Sequence, residues 1–221
     1  MKFPENLWKA RIEAGRYLFR KTNSQLPTLV RDAGILFVHI PKTAGISLSY
    51  ALYGREIGHR KLSDYLQVDA SYAENLFKFS VVRNPWDRLV SAYSYLKQGG
   101  QYSSVSDCIF SRSTLWKYDT FEKMVNKWLS AETVTSYFHF EPQFSYLVGA
   151  DGEIAVDKVL KFESLSADLS SIQDQMGRRL DLAQKNKSTR KNYKEYYDET
   201  MVKKVASVYE QDIELLGYNF D

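Results

Sequence analysis

The chain of 221 residues contains a single cysteine, Cys108, and three histidines. One thiol rules out an internal disulfide framework and agrees with a reducing compartment, and Cys108 itself reads as a small apolar residue. No run approaches the roughly 18 apolar residues of a membrane span, and the N-terminus lacks a signal-peptide apolar core. The sequence therefore reads as cytoplasmic and predicts no transmembrane segment, although a chain from which an anchor had been cut would read the same. Excess charge of one sign is missing too. Thirty Lys and Arg stand against 27 Asp and Glu, a formal net charge of +3 spread along the chain, so nothing marks a nucleic-acid partner. No His/Cys cluster or Asp/Glu set stands at metal-ligand spacing, and the sequence predicts no metal. Repeats and low-complexity tracts are absent, and oligomeric state is left open.

What is present suits a globular protein: 44% hydrophobic and 26% charged residues, in a length for one domain with a small appendage. We expect an N-terminal basic helical segment over residues 1–30 and one domain over 31–221. In the first segment Leu7, Trp8, Ile12, Leu18 and Phe19 form an apolar face, with Lys9, Arg11, Arg16, Arg20 and Lys21 on the remaining surface. Ile35 to Ile40 is an unbroken β-branched and aromatic run, as expected of a strand buried on both faces. Phe77 to Val82 is a second such run, and Val159 to Phe162 a shorter third. Helical periodicity covers Ile46 to Tyr53, roughly Tyr118 to Leu129, Leu165 to Met176, and a last helix striped by Met201, Val202, Val205, Val208, Tyr209, Ile213 and Leu216. Strands separated by helices predict an α/β fold, a central parallel sheet flanked by helices. Residues 97–113, rich in Gly, Ser and Gln, read as a mobile loop.

Where the first strand turns into a helix lies Pro41-Lys42-Thr43-Ala44-Gly45-Ile46-Ser47-Leu48. Backbone N–H groups at a helix start are unpaired and carry the positive end of the helix dipole, which suits an anion. Lys42 adds a full charge, Thr43 and Ser47 add hydroxyls, and Gly45 permits close approach of the backbone. The nucleotide-triphosphate loop G-x-x-x-x-G-K-[ST] is absent, because the lysine precedes the glycine, and this weighs against a P-loop-type nucleotide kinase.

A second motif, Val81 to Tyr93, follows the second strand. Asn84 can cap the next helix and Pro85 can open it. Leu89, Val90, Tyr93 and Leu96 then share one face, while Asp87 and Arg88 read as a solvated or locally paired face. Arg83 at the strand end and Ser91, two helical turns on, can share a phosphate.

Together the two motifs resemble the donor site of sulfotransferases that use 3′-phosphoadenosine-5′-phosphosulfate (PAPS). Residues 41–48 look like the loop that holds the 5′-phosphosulfate, and Arg83 with Ser91 looks like the pair that holds the 3′-phosphate. His139 to Gln143, Phe162 to Leu165, Asn186 to Ser188 and Leu216 to Tyr218 extend the resemblance to the carbohydrate-type, or second, sulfotransferase family. Ile46 departs from it, standing where members usually carry a threonine or serine.

The resemblance implies a P-loop-like nucleotide-binding sulfotransferase fold, PAPS as donor with adenosine 3′,5′-bisphosphate as product, and a hydroxyl acceptor on a glycan or glycolipid. Lys42 is then the group that stabilises the leaving phosphate. The proton acceptor is divided between His59, favoured because it follows the first helix between the two motifs, and His139. His39, inside the strand run, reads as a core residue. Residues 185–191 would be a solvated linker in most proteins; in this chain they resemble the segment closing over the nucleotide, which makes Lys187, Ser188 and Arg190 candidate contacts. A non-catalytic PAPS- or glycan-binding protein of the same fold is the alternative reading.

Overall fold

The computed structural model describes residues 7–23, 25–102, 104–177, 179–180 and 190–221. In chain order its elements are α1 (Leu7–Thr22), α2 (Thr28–Ala33), β1 (Ile35–Val38), α3 (Gly45–Tyr53), α4 (Leu62–Glu74), β2 (Phe77–Val82), α5 (Pro85–Lys97), α6 (Val105–Ser113), α7 (Phe121–Lys127) and α8 (Ala131–Val134). There follow α9 (Phe144–Leu147), β3 (Lys158–Lys161), α10 (Leu165–Met176), α11 (Glu199–Val208) and α12 (Glu210–Leu216). No helix among the described residues is long and apolar enough to cross a membrane. The chain forms two compact units: a sheet unit of Arg16–Arg83 and Gln143–Thr189, and a helical unit of Met1–Gly15, Asn84–Pro142 and Arg190–Asp221.

The sheet unit carries a parallel sheet in the order β1-β2-β3, with Phe37 opposite Phe79 and Ser80 opposite Val159. Helices flank it, the α/β arrangement expected of the strand and helix pattern. Every residue of β1 is buried, each such side chain contributing about 2 kcal/mol of transfer free energy. Among the described residues β1 is an edge, and α3 covers that edge: Phe37 N–H donates to the Tyr53 hydroxyl at 2.9 Å, which donates in turn to Ile35 O at 3.1 Å. Ser80 Oγ donates to Val38 O at 2.6 Å, tying β2 to the end of β1.

The end of α1 differs from its expected amphipathic pattern. Phe19 is buried, edge-on to Tyr65 with ring centroids 5.9 Å apart, but Leu18 is 55% exposed. Arg16 and Arg20 turn away from open solvent toward buried Asp64, at 3.8 and 3.4 Å, because that carboxylate, which also accepts from Lys61 N–H at the start of α4, must be paired to stay buried.

In the helical unit, the expected start of α5 is found. The Asn84 side chain accepts from the Trp86 and Asp87 N–H groups, and Pro85 holds the first position. Leu89, Val90, Tyr93 and Leu96 are buried with Trp128, Phe140, Met201 and Val205 in one apolar core. Arg88 corrects the expectation of a solvated or locally paired face: it is 2% exposed, and its Nη1 donates to the distant Glu141 O at 2.9 Å. Residues 97–113 are not a loop but a 3₁₀ turn, Gly99–Tyr102, followed by α6, which Ser104 caps. Gly100 is needed for both backbone and packing: its φ is +65°, and a Cβ there would lie 2.4 Å from Asp107 Cβ. The expected last helix is two, because Tyr209 (φ −111°, ψ 28°) breaks it, its hydroxyl donating to Phe140 O at 2.8 Å.

Candidate functional site

The turn from β1 into α3 is strained where the sequence places an anion. Lys42 (φ 70°) and Ala44 (φ 66°) both occupy the left-handed region without being glycine, at a cost of about 1 kcal/mol each. Such a turn gathers successive N–H groups into a concavity that fits an anion. Ala44 is the N-cap of α3 and makes no side-chain cap, so α3 presents its first N–H groups with the positive end of its dipole. Thr43 is fully buried, and its hydroxyl donates to Ile40 O at 2.9 Å. That proton braces the turn, so the hydroxyl expected to donate to an anion is already engaged. Pro41 and Leu48 are buried, Lys42 and Ser47 half-buried, and Ile46 is 51% exposed.

Arg83 at the end of β2 reaches this turn. Its Nη1 donates to Lys42 O at 3.0 Å, and its guanidinium lies over the Phe162 ring, 4.1 Å from the centroid. The Arg83 main chain is held from both sides by one fully buried amide. Arg83 N–H donates to Gln143 Oε1 at 2.9 Å, and Gln143 Nε2 donates to Arg83 O at 2.8 Å.

Gly45 has a reason the sequence did not reveal. A Cβ there would stand 1.8 Å from Cδ2 of the His39 ring, so the imidazole fills the space that a side chain would take. His39 is 2% exposed, consistent with the core role expected of it. On its ring lies His59, centroids 4.1 Å apart and planes at 54°. His59 Nδ1 is 3.2 Å from His39 O. A carbonyl only accepts, so Nδ1 carries the proton and Nε2 the lone pair. His59 is half-buried, one ring away from the start of α3.

Three other sequence-selected residues, Ser91, His139 and Arg190, belong to the helical unit. Ser91 is half-buried on α5. His139 is 5% exposed, with Nε2 3.2 Å from Asp107 Oδ1. Asp107 also accepts from the hydroxyls of Tyr137 and Tyr95. Burial alone would raise the Asp107 pKa, but hydrogen bonds from His139, Tyr137 and Tyr95, with the charge of His139, hold it below the ordinary carboxyl value. Burial, with Asp107 beside it, pushes the Tyr137 hydroxyl well above its usual value. Arg190 pairs with Asp87 in the first turn of α5. Lys187 and Ser188 lie outside the described residues.

A model of the sulfotransferase family matches residues 28–219. The chain belongs to the sulfotransferase family. No curated protein and no solved structure matches it. Membership carries with it the family's chemistry, transfer of a sulfuryl group, and the match spans α2 to α12 together with every residue around the β1–α3 turn.

Two features of this sulfotransferase left little trace in its sequence. Gln143 was visible only as part of a family-like block, since a glutamine that clamps a residue 60 positions away leaves no local signal. Glu56, in the link after α3, carried no signal because its neighbours in space, His39 and His59, come from separate segments.

Proposed function

We propose that this sulfotransferase takes its sulfuryl group from PAPS and delivers it to an acceptor hydroxyl on a glycan or glycolipid. The observation that carries the reading is the uncapped start of α3, with Lys42 and Ala44 held in the left-handed region beside it. The residues fit such a donor: an N–H concavity and a lysine suit a phosphosulfate, and the Arg83 guanidinium at the same turn suits a second phosphate. When bound, PAPS would supply the activated sulfuryl group.

Sulfuryl transfer, like phosphoryl transfer, passes in line through a loose transition state, so positioning and charge stabilisation do most of the catalysis. His59 Nε2 takes the acceptor's proton while the acceptor oxygen forms its new bond to sulfur. Lys42 and the N–H groups at the start of α3 stabilise the charge that collects on the leaving 5′-phosphate as its bond to sulfur breaks. The contact to His39 O keeps the His59 lone pair on Nε2, and His139, buried against Asp107, is given a structural part.

Calorimetry with adenosine 3′,5′-bisphosphate and with ATP tests the donor. The bisphosphate should bind and ATP should bind far more weakly; tight ATP binding with none of the bisphosphate would overturn the reading. Mass spectrometry of products from a panel of glycans, glycolipids and phenols with PAPS then identifies the acceptor class.

A further inference from the structure

The sheet unit gathers three metal-ligating side chains that the linear sequence keeps apart. One ring nitrogen each of His39 and His59 and a carboxylate oxygen of Glu56 lie within 4.8 Å of one another. Burial is graded across the three: His39 is buried, His59 half-buried and Glu56 exposed, so the donors run from solvent inward. Two imidazoles and a carboxylate are the donor set of zinc and its late first-row neighbours, whereas magnesium and calcium call for oxygen ligands.

His59 is also prepared for the task. A metal-bound histidine usually donates its second ring N–H to a carbonyl or carboxylate, which fixes the tautomer and the ring orientation. In this chain Nδ1 meets the carbonyl of His39, one of the other ligands. Zinc bonds near 2.1 Å in a tetrahedron set ligand atoms roughly 3.4 Å apart, so the cluster must contract. Glu56, whose exposed side chain turns about its own single bonds, is the ligand best able to follow that movement.

We propose that His39, Glu56 and His59 form a binding site for a divalent cation of the zinc class, and that the bound ion inhibits turnover by occupying the Nε2 lone pair of His59. The inhibition rests on the function proposed above; the binding does not.

The full chain, stripped of metal with a chelator, is titrated with Co²⁺ and followed by its visible absorption. Zn²⁺ is then added to compete, and the same titration is run on Glu56→Gln. One equivalent of Co²⁺ should develop ligand-field bands that Zn²⁺ abolishes, and Glu56→Gln should weaken binding at least about tenfold. Glu56 is exposed, so this variant should keep the wild-type circular dichroism and metal-free turnover while resisting inhibition by Zn²⁺. Absence of the bands, or equal Co²⁺ affinity in wild type and Glu56→Gln, would overturn the metal site. Absence of sulfuryl transfer under every metal-free condition would instead remove the proposed function, and the Co²⁺ titration would still decide the site.

Discussion

Arg83 donates from Nη1 to the carbonyl oxygen of Lys42 at 3.0 Å, so the end of β2 holds the turn that leaves β1 in its left-handed form. Arg83→Ala removes both this brace and a cation suited to phosphate. Affinity for adenosine 3′,5′-bisphosphate should fall about tenfold to a hundredfold, read by calorimetry. Arg83→Lys should recover little of it, because an ammonium lacks the planar fork that lies on Phe162 while bonding Lys42. Wild-type affinity in Arg83→Ala would remove Arg83 from the nucleotide site.

Gln143 serves the same strand end from the other side. With its side chain cut back to alanine, the buried N–H and C=O of Arg83 lose their partners, at about 1–3 kcal/mol for each group. Urea denaturation of Gln143→Ala should show a loss of roughly 2–6 kcal/mol. A midpoint unchanged from wild type would mean that water replaces the amide.

The turn itself can be tested by adding and removing one carbon. Gly45→Ala drives a methyl into the His39 ring and should cost about 3 kcal/mol. Ala44→Gly relieves left-handed strain of about 1 kcal/mol while loosening the unfolded chain by a similar amount, so its Tm should hold or rise. A clear drop in Tm for Ala44→Gly would contradict the strain.

Turnover and product binding separate the two histidines. His59→Ala should abolish sulfuryl transfer and leave bisphosphate affinity within about twofold, since its role is proton transfer. His139→Ala should act first on stability, because it uncovers Asp107. Full turnover in both variants would remove the proton-transfer mechanism altogether.

The Asp107 network predicts an acid limb of stability. Its folded pKa lies below the ordinary value of 3.8, so the unfolded chain binds the proton first as pH falls. The stabilisation is present above about 3.8 and is lost as pH drops through the lower folded value. Compared at neutral pH and at about pH 3 by urea denaturation, wild type should lose more stability than Asp107→Asn. Equal losses would take Asp107 out of the acid transition.

How much of the fold and the site was readable from sequence follows from the range of each interaction. β1, β2 and the Asn84-Pro85 helix start are written in neighbouring residues: unbroken apolar runs, then a cap and a proline. The turn from β1 into α3 was legible too, through Lys42 and Gly45, but the ring of His39, which fills the space a Gly45 side chain would take, was not. Residues 97–113 were misread because their glycines and serines look like loop while the order comes from Asp107, held by Tyr137 and His139 from far along the chain. Arg88 was misread for the same cause. A charged residue on a helix is solvated unless a distant carbonyl receives it, and that of Glu141 is 53 residues away.

Tyr53 closes the edge of β1 with a single oxygen. A foreign strand that docked there would need the Phe37 N–H and the Ile35 C=O as its first two rungs, and both are already taken. The phenol therefore acts as a stop to sheet growth, guarding the strand that leads into the Lys42 turn from pairing with a second chain. Its loss would show first as association at high protein concentration, before any change in the site.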